Sequence, residues 1–158
     1  MKSLPNKPSE LVELAILDLK AIEQNPNYLI AMDSWHVGSY RDHPNIERPR
    51  CLVCLAGAVM AQSLGIETTM TVKPWDPIFH SDVTLEGKLA ALDSFRNGNI
   101  YHGITLMCPE FDDYHSAHAL LEKMGMSANI FVPEYEEDRE EFYQGMEKVI
   151  KILKEHAL

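Results

Sequence analysis

The sixteen residues from Cys51 to Ile66 contain no charged side chain, and Gln62 and Ser63 are their only strongly polar members. A segment that is apolar on every side has to be buried. Gly65 suits a helix stop in the left-handed conformation, and Pro49 suits a first helical turn. At about 100° per residue, Cys51, Cys54, Ala58 and Ala61 form a stripe of small side chains, with Val53, Ala56, Met60 and Leu64 opposite. This reading predicts a buried central helix over 51–65, with a neighbouring backbone drawn close to its small face.

Around that helix the chain reads as one compact, mainly α domain of five to six helices spanning residues 1–158, with one or two short strands at most. Residues 1–8 are polar and hold two prolines, which predicts a loose N-terminal arm. Helices are expected at 9–24, capped by Ser9, and briefly at 28–32 after Asn25-Pro26. Further helices are expected at 85–96, closed by Asn97-Gly98, and at 112–124, closed by Gly125. A last one is expected at 133–155, with acids early and lysines late to suit the helix dipole. Thr68–Val72 and Ile100–Met107 are the strand candidates, because both hold β-branched residues.

The 158 residues carry a formal net charge of −10. Nucleic-acid phosphates and anionic membranes call for a basic footprint, so neither is an expected partner. A basic protein surface is, and self-association stays open. Three cysteines, an odd number, point to a reducing cytoplasm rather than a disulfide framework. The uncharged segment is also short of the roughly 20 residues that cross a bilayer.

Four groups of residues could carry chemistry. Cys51-x-x-Cys54 has the spacing of a redox pair, but no strand is expected before it, and a buried cysteine also serves as a small apolar residue. Cys54 at the start of a central helix has a nucleophile's placement, which would need a distant base such as His80 or His102. The surrounding Leu52, Val53 and Leu55 depart from the papain-type pattern that this placement resembles. His115, His118 and Glu122 fall within about 60° of one another on a helix, and Asp112 stands just before them. That set could hold a divalent metal such as zinc; exposed side chains joined by a His–Glu pair are the commoner outcome of such spacing. Without that metal no cofactor is expected.

The fourth group lies in the loops on either side of the central segment. Trp35, His36, Tyr40, Arg41 and His43 occupy one, and Trp75, Asp76 and His80 the other. Aromatic residues ringed by ionisable groups are the usual make-up of a binding anchor, although tryptophans there can equally cover the ends of a core. The acidic run Glu134–Glu141 adds a negative surface, or simply a solvated helix start.

Trp35, the segment Cys51-x-Val-Cys-Leu-Ala-Gly-Ala58 and the segment Lys88-Leu-Ala-Ala-Leu-Asp-Ser-Phe-Arg-Asn-Gly98 together resemble small uncharacterised proteins of bacteriophages and bacteria. The resemblance spans Trp35 to Gly98. It implies a bacterial or phage setting and a cytoplasmic location, and it assigns no catalytic residue. The combined expectation is a non-enzymatic protein that binds a protein partner. A small hydrolase-like enzyme using Cys54 with a histidine, or a metal on His115 and His118, is the alternative.

Overall fold

A computed structural model describes residues 3–40, 50–73 and 83–158. The chain is mostly helical, with a small three-stranded sheet. Its elements in order are α1 (Pro8–Glu23), β1 (Tyr28–Ile30), β2 (His36–Tyr40), β3 (Arg50–Val53), α2 (Leu55–Gln62), α3 (Val83–Arg96), α4 (Ile100–Met107), α5 (Tyr114–Met124) and α6 (Arg139–Glu155).

The expected central helix over 51–65 divides into a strand and a shorter helix. Arg50–Val53 forms the middle strand of the sheet, parallel to β1 on one side and antiparallel to β2 on the other. Cys51 lies opposite Tyr28, and Val53 opposite both Ile30 and His36. A strand flanked on both sides satisfies its backbone groups as fully as a helix would, so tertiary pairing overrides local helix preference. Cys54 is extended and leads into α2, in which Leu55 to Met60 are all buried. The expectation of a buried helix therefore holds only from Leu55 onward.

Gly57 shows how tightly α2 is set. A β-carbon there would overlap the carbonyl group of Trp35, so the helix approaches the start of β2 backbone to backbone. The close approach falls on Gly57, which is outside the expected stripe of Cys51, Cys54, Ala58 and Ala61.

Three other segments differ from expectation. Residues 28–30 form β1 rather than a short helix, because β3 offers them a pairing edge; the Asn25 side chain accepts the Asn27 N–H at 3.0 Å in the turn that precedes it. Ile100–Met107 is helix α4, not a strand: Asn99 caps it by accepting the His102 N–H, and Ile100, Gly103, Ile104 and Met107 are buried at helical spacing. Among the described residues, Thr68–Val72 contributes one bridge, Val72 to His36.

Helices α3 and α4 run antiparallel. The Phe95 ring covers Gly103 near one end, and Gly87 lies under the Leu106 carbonyl near the other. Gly98, with φ of 77°, turns the chain between them. Helix α6 begins later than its sequence suggests, since the Asp138 side chain accepts the Glu141 N–H at 3.1 Å and sets the first turn there. The N-terminal arm is not loose over its described length. Leu4 is buried in the core, and Lys88 Nζ donates to the Leu4 carbonyl at 2.9 Å and to Asn6 Oδ1 at 2.8 Å.

Candidate functional site

A group of part-buried polar side chains lies where α3 meets the start of α2 and the turn before β2. Residues 31–34 close a turn through a Ser34 N–H to Ala31 carbonyl bond, and this directs Trp35 inward. Its indole N–H donates to Asp93 Oδ2 at 2.5 Å. The other Asp93 oxygen lies 4.0 Å from the Cys54 thiol and 3.7 Å from Arg96 Nη2. Burial raises the Asp93 carboxyl above its ordinary value, against the pull of the Trp35 N–H and of Arg96.

Cys54 has the helix-start position expected of a nucleophile. Its thiol is nonetheless pushed up to about 12, chiefly by burial and then by the negative charge of Asp93. The amides of Gly57 and Ala56 act the other way and are outweighed. Among the described residues no imidazole hydrogen-bonds to Cys54. His102 is exposed on α4, and His80 lies outside the described residues. A buried thiol that keeps its proton beside an acid is poorly suited to attack a substrate.

Cys51 does meet a histidine. Its sulfur lies 3.5 Å from both ring nitrogens of His36, and His36 Nδ1 lies 2.7 Å from the Met70 carbonyl oxygen. That oxygen only accepts, so Nδ1 carries the proton and donates. Equal distances place the sulfur off the lone-pair axis of either nitrogen. Burial lowers the His36 pKa and raises Cys51 to about 11, so a neutral ring faces a neutral thiol. All three cysteines are buried and unpaired. The contact joins β2 to β3 and has the character of packing.

The expected loop anchors separate into three outcomes. Trp35 and His36 are buried and hydrogen-bonded inside the molecule, which corrects their reading as surface anchors. Tyr40, at the end of β2, is exposed. Arg41, His43, Trp75, Asp76 and His80 lie outside the described residues.

On α5, Asp113 caps the helix by accepting the His115 and Ser116 N–H groups at 2.9 and 3.1 Å. His118 Nε2 lies 3.2 Å from Glu122, and the Tyr114 ring stacks on His118 at 5.6 Å. Among the described residues, no three histidine, cysteine, aspartate or glutamate side chains converge in a way that could hold a metal ion. The set His115, His118, Glu122 and Asp112 thus resolves into a pair on an exposed helix face, with Asp112 ending the turn before it.

Two features were not singled out in the sequence. Glu23, at the end of α1, accepts hydrogen bonds from the hydroxyls of Tyr135 (2.8 Å) and Tyr143, with Arg139 at 3.9 Å. This ties α1 to α6 and holds both phenols above their ordinary pKa through burial and the Glu23 carboxylate. The second is a cleft of about 410 Å³ beside Arg96, walled by Met32, Val132, Tyr135 and Phe142. The available signal for Asp93 and Arg96 was two charges on a helix whose Leu89, Leu92 and Phe95 are core residues.

No protein-family model matches this chain, and neither a curated protein nor a solved structure matches it.

Proposed function

We propose that the chain acts without catalysis, by binding a protein partner with a basic surface in the cytoplasm of a bacterial or phage-infected cell. The observation that carries this reading is the exposure of large apolar side chains on α5 and just beyond it. Tyr114 is 75% exposed, Met126 96% and Phe131 85%. Tyr114 and Leu121 lie seven residues apart, on one flank of α5, with His118 between them. Aromatic and methionine side chains are enriched at the centres of protein interfaces and are expensive to leave in water. The acids of Glu134–Glu141 are exposed, which suits a partner of opposite charge. Cys51, Cys54 and His36, by contrast, are sealed in the core.

Affinity capture with the full chain, compared with a Tyr114→Ser/Phe131→Ser variant, tests the proposal. Both positions are exposed, so the variant should melt within a few degrees of the parent. Loss of the captured proteins from a folded variant is the expected result. Retention of every one of them would overturn this account of the surface.

A further inference from the structure

The cleft beside Arg96 has a composition that the partner-binding reading uses only in part, through Glu134 and Glu136. Arg96 is 21% exposed, and its guanidinium meets Asp93 at 3.7 Å, longer than the roughly 2.7–2.9 Å of a good charge-assisted hydrogen bond. Its Nε is buried and has no acceptor among the described residues. A guanidinium carries five N–H donors, and leaving them buried without acceptors is destabilising. Arg96 therefore lines the cleft as a cation whose one contact to Asp93 is long and whose Nε is unpaired among the described residues.

Three carboxylates share that lining: Asp33, Glu134 and Glu136. Glu136 is held in place, because one of its oxygens accepts the Met32 N–H at 3.0 Å. A simple anion would gain Arg96 and be repelled by the three acids. A simple cation would gain the acids and leave Arg96 as it is. A molecule bearing both charges a few ångströms apart satisfies both sets.

Apart from the exposed Asn97, the remaining walls are apolar or aromatic, with Val132, Tyr135 and Phe142 all buried. The volume of about 410 Å³ is near the lower end of the roughly 300–1,000 Å³ of small-ligand sites, a size for one small molecule. We propose that this cleft binds a free α-amino acid with an apolar side chain, its carboxylate on Arg96, its ammonium among Asp33, Glu134 and Glu136, and its side chain against the apolar wall. The cleft shares Glu134 and Glu136 with the acidic run of the partner-binding proposal but neither Arg96 nor the exposed side chains of α5, and its test reads small-molecule binding rather than protein capture.

Titration calorimetry of the full chain with L-leucine and L-phenylalanine tests it, with 4-methylpentanoate and isoamylamine as probes that carry one charge each. The amino acids should bind saturably, and each single-charge probe about tenfold more weakly or worse. Arg96→Gln should weaken amino-acid binding at least about tenfold. Asp33→Asn and Glu134→Gln change exposed side chains, and together they should weaken it several-fold. They also carry the test if Arg96→Gln does not fold. The proposal is overturned if neither amino acid binds saturably up to about 10 mM. Equal affinity for a single-charge probe, or unchanged affinity in a folded Arg96→Gln protein or in the Asp33→Asn/Glu134→Gln protein, overturns it as well.

Discussion

The indole N–H of Trp35 reaches the carboxylate of Asp93 at 2.5 Å, joining residues 58 apart in sequence. Through this bond the turn before β2 is fastened to the last turn of α3, close to the buried start of α2. It also explains how an acid is tolerated there, since Asp93 accepts the Trp35 N–H, has the Cys54 thiol at 4.0 Å and has the Arg96 charge nearby. Replacing Trp35 by phenylalanine keeps most of the ring but removes the donor. We expect a loss of about 1–2 kcal/mol in denaturant unfolding, because the Asp93 carboxylate is partly exposed and water can replace some of the lost bond.

The same acid sets a pH dependence. Its native pKa is raised, so the folded protein holds the proton more tightly than the unfolded chain. Below the ordinary carboxylate range both states are protonated, and Asp93 imposes no penalty. As pH climbs from that range through the raised native value, the unfolded chain ionises first and stability falls. Asp93→Asn should remove this component, and Trp35→Phe should enlarge it by taking away a group that lowers the pKa. Parallel stability–pH profiles of the three proteins check the sign; a profile unchanged by Asp93→Asn would refute it.

Gly57→Ala tests the backbone approach of α2. The added methyl group would overlap the Trp35 carbonyl, and backbone yields less readily than a flexible side chain. A loss of about 1–3 kcal/mol is expected, despite the better helix propensity of alanine. An unchanged unfolding midpoint would mean that the close approach is not present in solution.

The thiols of Cys51 and Cys54 should react slowly with alkylating reagents in the native state. Both are fully buried, and burial pushes them to about 11 and 12. Near pH 8 the thiolate fraction is negligible, so labelling should follow the opening of the structure. Fast labelling of either residue with a near-neutral pH midpoint would contradict the packing role assigned here.

Lys88 anchors the N-terminal arm by donating to the Leu4 carbonyl and to Asn6. Lys88→Met retains the aliphatic stem and loses both bonds. Hydrogen exchange at residues 4–7 should accelerate in this variant, while the amides of α6 keep their protection. Equal exchange in the arm of both proteins would show that Leu4 burial alone holds it.

The helices legible in the sequence are those with a local signal at each end. The apolar spacing of Leu85, Leu89, Leu92 and Phe95, with Asn97-Gly98 after it, marks α3, and Gly125 marks the end of α5. The start of α6 was displaced because two start signals compete there, Pro133 and Asp138, and the Asp138 side chain forms the cap. Ile100–Met107 reads as a strand by composition and is a helix, since the Asn99 cap and its packing against α3 outweigh a modest β preference. In the candidate sites, the residues with conspicuous chemistry were visible and their surroundings were not. Trp35, His36 and Cys54 were found by type, but their burial depends on what folds over them.

Composition and periodicity by themselves determined a mostly helical chain with an uncharged segment that had to lie inside, because burying apolar surface is favourable whatever the topology. They could not determine that Cys51–Val53 is a strand. That choice depends on Tyr28–Ile30 and His36–Val37 arriving on either side of it, and hydrogen-bond partners distant in sequence leave no local period. Likewise, only the tertiary structure decided that Trp35 would meet Asp93, that Glu23 would gather two phenols, and that Arg96 would line a cleft with three acids. Each of these is a contact between separate elements, and its strength comes from excluding water, which happens only once those elements have packed.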